Sequence, residues 1–211
     1  WLDGPEHSPE LRRARELRPV VAAADHILDI HSTSQAVQPF WVYPGFERNA
    51  CAALAIGALG HVTVHLVMPQ GLGSGTPLIQ HGRHGLADGG GGVALVAECG
   101  QHFLRASADT ATAVSLGFLA HFGLIDPPHA APPAARQRRF ELLQTCMVRT
   151  PAFRFARPLL GFETFAEGEL IATDGEAGEI RAPCDDCTVL MPTRQSIVGR
   201  EAVYLSRPLA G

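Results

Sequence analysis

The residues best suited to chemistry sit in two short strings. In 25-DHILDIHSTSQ-35 an aspartate and a histidine stand two apart at the end of an apolar run, followed at once by small polar residues. Neutral imidazole is a common metal ligand, and a carboxylate that orients its ring is a usual companion. Asp29 and His31 share a face if both lie in one strand, because strand side chains alternate. Two readings follow: His31 is a metal ligand with Asp29 as its support, or Asp29 holds a turn at a strand end. A zinc site needs partner ligands, which this pair alone does not supply.

In 93-VALVAECGQHF-103, Glu98 ends a second apolar run just ahead of Cys99 and Gly100. A carboxylate there is expensive unless water, a cation or hydrogen bonds stabilise it. At a cleft it would be placed for proton transfer; paired with an Arg or capping the next helix, it would be structural. If the two strand ends meet at one sheet edge, Asp29, His31 and Glu98 outline an incomplete hydrolytic metal centre.

Rival chemistries have weaker signals. The stretch 73-GSGTP-77 lacks the G-x-S-x-G elbow, and 32-STS-34 has no helix signature that would expose a nucleophile. Neither a Walker sequence nor a dinucleotide-binding glycine fingerprint occurs. Cys184-Asp-Asp-Cys187 has metal or redox spacing without a second ligand pair, and reads as a turn. The two histidines of 81-HGRH-84 suit an anion or an entrance but do not make a site by themselves.

The elements that must position these residues are legible in outline. Ser8-Pro9-Glu10 is a helix start, with Leu11, Leu17, Val20 and Val21 as its buried side. A strand is expected over 26–30, a helix over 46–59, strands over 61–68 and 93–97, and a long helix over 104–122. This order predicts an α/β layer architecture. The glycine-rich stretch 71–92 is longer than a plain connection requires and is expected to be a functional loop. After the proline-rich break at 126–139 the texture changes to short strand-like pieces joined by Gly, Pro and Asp. The expected organisation is a catalytic domain over 1–130 and a small β-rich domain over 131–211.

Composition bounds the class. A chain of 211 residues with 46% hydrophobic and 18% charged residues is long enough to bury a core. A net charge of -4 gives no hint of a nucleic-acid surface, and no apolar run reaches the roughly 20 residues of a membrane span. Neither nucleic acid nor membrane is therefore expected as a partner. Five scattered cysteines argue against a disulfide framework and for a reducing compartment, so a cytoplasmic location is expected.

Taken in order, DIHST, HLVMPQGLGSG, ALVAECG and a tail carrying EGELIATD, GEIRAP, CTVLMP and GREAVYLSRP resemble the succinylglutamate desuccinylase/aspartoacylase family. The resemblance implies a carboxypeptidase-like mixed-sheet α/β catalytic domain with a small C-terminal all-β domain. It also implies a zinc-dependent hydrolase that binds one ion per complete subunit and cleaves an N-acyl amide, or less readily an ester, of a small N-acylated substrate. His31 matches the later zinc-binding histidine and Asp29 its supporting aspartate. Glu98 matches the glutamate that activates water and passes its proton to the departing amine. Tyr204 matches a substrate-contacting tyrosine of the C-terminal domain, and Arg83 is a carboxylate contact. The family's H-x-x-E pair, which supplies the first two zinc ligands, and its D-x-N-R segment are expected ahead of Trp1. The 211 residues alone are then expected not to hold zinc tightly. Two alternatives remain open: a carboxypeptidase-like peptidase, and a noncatalytic binding protein with a degenerate metal site. A homo-oligomer built partly through the apolar β tail is compatible with each.

Overall fold

A computed structural model describes residues 8–57, 62–68, 76–88, 90, 92–127 and 136–210. His7, His61, His129, the GLGSG string and the expected boundary near residue 131 lie outside the described residues.

The N-terminal part carries helices α1 (Pro9–Ala23), α2 (Glu47–Gly57) and α3 (Arg105–His121) and strands β1 (His26–Thr33), β2 (Phe40–Pro44), β3 (Val64–Met68) and β4 (Val93–Gln101). Ser8 caps α1 as its sequence predicts, its hydroxyl accepting from the Leu11 N–H. The helix docks less deeply than expected. Leu11, Leu17 and Val21 are half-buried, while Val20 turns outward and is exposed. The strand β2 has little local signal, because it is only five residues long, Pro39 stands just before it and Pro44 ends it.

The rest of the chain adds β5 (Arg138–Met147), β6 (Phe153–Phe155), β7 (Thr164–Phe165), β8 (Leu170–Asp174), β9 (Glu179–Arg181), β10 (Cys187–Leu190) and β11 (Glu201–Pro208). Eight strands form one sheet in the order β1-β4-β2-β3-β5-β11-β10-β7, and β6-β8-β9 form a second. β5 pairs parallel to β3, with Val64 opposite Arg138. The β-rich tail therefore extends the first sheet, and the texture change in the sequence marks a loss of helices. Asp185 and Asp186 form the expected turn, with Asp186 at a φ of 54°, but β9 and β10 on either side belong to different sheets.

The sheet is mixed. β1 and β4 run parallel, whereas β2 runs antiparallel to β4. β4 lies between them and is buried from Val93 to Gly100, which explains its unbroken apolar run. One face, with Leu95, Ala97 and Cys99, packs under Ala53 and Ile56 of α2 and Val114 and Phe118 of α3. The other, with Ala94 and Val96, meets Ile27 and Ile79. Leu95 and Phe40 are fully enclosed, and burial of such side chains contributes roughly 2 kcal/mol each. Among the described residues no helix is long and apolar enough to cross a membrane.

Candidate active site

The parallel ladder between β1 and β4 places His31 opposite Glu98 and Asp29 opposite Val96. Side chains two apart on one strand, and those paired in parallel register, project to the same face. Asp29, His31 and Glu98 therefore converge at the carboxyl ends of two adjacent strands, where open α/β sheets place their ligands. His31 Nε2 lies 3.1 Å from Asp29 Oδ2, and its Nδ1 lies 3.6 Å from Glu98 Oε1. Asp29 thus holds one ring nitrogen and leaves the other facing Glu98.

The hydrogen bond with Asp29, then the interaction with Glu98, pushes the His31 imidazole up to about 10 against the opposing effect of burial. Two carboxylates that favour a proton on this ring favour any cation beside it. The Glu98 side chain is only 9% exposed, and its Oε2 is buried without a hydrogen-bond partner among the described residues.

A bulge fixes this corner. Register shifts after His31, so that Thr33 pairs with Gln101. Gly100 absorbs the extra residue at a φ of 108°, and a Cβ there would come within 3.0 Å of Ser107 Oγ. That hydroxyl donates to the Gln101 carbonyl at 2.7 Å, pinning the first turn of α3 to the bulge. Bulges beside active sites re-aim side chains in this way. The loop beyond is tied down by a 2.7 Å hydrogen bond between Ser32 Oγ and His102 Nδ1.

The tail closes the other side. Tyr204 on β11 packs with Val37 and Phe40, the register partner of Glu98. Its hydroxyl donates to Glu201. Burial, then Glu201 and Glu98, raise the phenol well above its ordinary range, so it keeps the proton it gives to Glu201 at any physiological pH. A cleft of about 630 Å³ opens here, lined by Thr33, Ser34, Gln35, Arg194, Arg200 and Tyr204 among others. Arg194, Arg200 and Gln35 were not singled out in the sequence, because only the return of β11 to the sheet brings them near the β1 end.

Arg83 is not brought to this site. It donates to the Ala24 carbonyl at 2.6 Å and to Asp25 Oδ1 at 2.7 Å, just before β1 begins. Asp25, just before β1, and His31 are six residue steps apart along the strand, about 20 Å at the usual rise. His81 and His84 share that remote loop, which Arg48 holds through the Leu86, Ala87 and Gly92 carbonyls.

The donor set tests zinc only in part. His31, with a supporting carboxylate and an acid beside its second nitrogen, fits in kind, but among the described residues no three His, Cys, Asp or Glu side chains form a group able to hold a metal. The chain does contain one literal H-x-x-E string, 7-HSPE-10. Its Glu10 is hydrogen-bonded by the Ser8 hydroxyl in the first turn of α1.

No protein-family model and no curated protein sequence matches this chain. Solved structures do. A succinylglutamate desuccinylase from Vibrio parahaemolyticus is 20% identical with a TM-score of 0.68, covering 99% of this chain and 64% of its own. The corresponding Vibrio cholerae protein is 19% identical with a TM-score of 0.72, covering 98% of this chain and 62% of its own. The ectoine utilization protein EutE (DoeB) of Ruegeria pomeroyi is 15% identical with a TM-score of 0.64, covering 98% and 65%. This chain therefore has the fold of the succinylglutamate desuccinylase/aspartoacylase structures, over somewhat less than two thirds of their length.

Proposed function

We propose that the protein is a zinc-dependent deacylase that hydrolyses the amide of a small N-acylated amino acid or related amine. The observation that carries this reading is the convergence of Asp29, His31 and Glu98 at one strand-end corner, on a fold shared with desuccinylases. His31 is the residue that would hold the metal, through the nitrogen that Asp29 leaves free, with further ligands from outside the described residues. Bound zinc supplies a Lewis acid that polarises a carbonyl and acidifies water.

The chain's own residues do the rest. Glu98 takes a proton from the attacking water and returns it to the departing amine. The Tyr204 side chain lines the cleft, and its hydroxyl, whose proton goes to Glu201, offers substrate a hydrogen-bond acceptor. Arg194 and Arg200, at the rim of the cleft, suit a substrate carboxylate, since guanidinium groups match carboxylates in shape and charge.

A substrate panel tests the reading. The full-length protein, loaded with zinc, is assayed for amine release from N-acyl amino acids, matched esters and short peptides. Hydrolysis of the acyl amino acids, lost on chelation and restored by zinc, is the expected result. Cleavage of peptides alone, or no turnover with zinc bound, overturns it.

A further inference from the structure

The cleft is lined by Val37, which packs in one cluster with Phe40, the register partner of Glu98, and it contains a buried acceptor that none of these roles uses. Gln35 lies on the loop leaving β1, lines the cleft, and is only 7% exposed. Its carboxamide reaches across to the tail, where Nε2 donates to the Pro192 carbonyl. A carbonyl oxygen accepts and never donates, so the nitrogen must be the atom facing Pro192. That contact fixes the orientation of the amide. The other arm, Oε1, is buried and has no hydrogen-bond partner among the described residues.

Buried carbonyl oxygens in native proteins are almost always paired, and an unpaired one calls for an explanation. The neighbouring polar groups do not supply it. The Thr33 hydroxyl donates to the Gln35 main-chain carbonyl, and the Tyr204 hydroxyl donates to Glu201. Glu98 Oε2 is a second buried oxygen without a partner among the described residues. An orphaned acceptor on a residue that lines the cleft describes a site that lacks a donor, and a secondary amide brings one as its N–H.

We propose that Gln35 Oε1 accepts a hydrogen bond from the N–H of the scissile amide, orienting the substrate beside Glu98 and making the site prefer amides to esters. This rests on the deacylase reading above and adds the group that reads the leaving side of the bond. An ester presents an oxygen lone pair where the amide presents its N–H, so acceptor would face acceptor. Sites built to hydrogen-bond a substrate group reject analogues that lack it, because a buried partner is then left unpaired. Gln35 moves no proton; it binds and positions.

The test uses pairs of N-acyl amino acids and their ester counterparts, in which oxygen replaces the N–H, with full-length zinc-loaded protein. Gln35→Met should lower kcat/KM for each amide about 10- to 100-fold more than for its ester. Equal losses on both would make Gln35 merely structural and overturn the proposal. The same pairs, titrated calorimetrically into Glu98→Gln protein, keep the test open if the Met variant fails to fold. There the amide should bind at least about tenfold more tightly than the ester, and equal affinities overturn the proposal. No turnover of any pair by the wild type overturns the deacylase reading, and this proposal with it.

Discussion

Glu98 faces His31 across the β1–β4 ladder, its Oε1 3.6 Å from the imidazole Nδ1, while Asp29 holds Nε2 from within the same strand at 3.1 Å. The two acids thus have different duties. Asp29 acts on the ring, whereas Glu98 sits beside the ring's free nitrogen and keeps an oxygen for something else.

Glu98→Gln should therefore separate binding from turnover. Zinc content, measured by elemental analysis of full-length protein, should remain near the wild-type value. Deacylation should fall by about 10²- to 10⁴-fold, the usual contribution of a general base. Wild-type turnover in this variant would remove Glu98 from the mechanism.

Replacing Asp29 acts on the ring instead. Asp29→Ala frees Nε2 and lets the imidazole turn, so zinc affinity in a chelator competition should weaken about 10- to 100-fold. Thermal unfolding of the metal-free protein should change little, because the Asp29 side chain is part-exposed at an edge strand. Unaltered metal affinity would show that Asp29 serves only the strand end.

Arg83→Ala should leave kcat/KM unchanged within about twofold, since the side chain holds Asp25 and Ala24 at the far end of β1. Its partner is well exposed, so the stability loss read by urea titration should be small. Faster proteolysis within 78–92 would accompany it. A large rise in KM would restore Arg83 as a substrate contact.

His65 gives a pH prediction away from the site. It is fully buried, its Nε2 2.7 Å from Gln137 Oε1 and its Nδ1 3.3 Å from the Tyr43 hydroxyl. Gln137 Nε2 donates to the Leu54 carbonyl, which leaves Oε1 to accept from His65. Burial pushes the imidazole down to about 4. Above pH 6.5 the ring is neutral in both folded and unfolded chains. Between 6.5 and about 4 the unfolded chain takes a proton that the folded one refuses, so stability falls with pH, in all by on the order of 3 kcal/mol. His65→Leu should be less stable than wild type at pH 7.5 yet lose less on acidification, as urea midpoints at pH 7.5, 5.5 and 4.5 would show. Parallel losses in both proteins would rule this out.

The sequence alone determined the local features that depend on neighbours in the chain. Ser8-Pro9-Glu10 specified a helix start, and VALVAECG specified a buried strand with an acid at its end. The alternation of strand side chains was enough to put Asp29 and His31 on one face. It could not decide which strands are neighbours. Register between β1 and β4 is set by packing on both faces of the sheet, and only that register brings Glu98 to His31. The same applies to the tail. Its strands were legible as short pieces, but their joining of the first sheet through β5 depends on a parallel pairing with β3 that no local pattern encodes. Arg83 is a carboxylate contact only in what the family resemblance implies; the direction of β1 puts it at the wrong end. Gln35 carried no signal at all, since an ordinary glutamine becomes notable only when tertiary folding gives one arm of its amide to Pro192 and buries the other with no partner among the described residues.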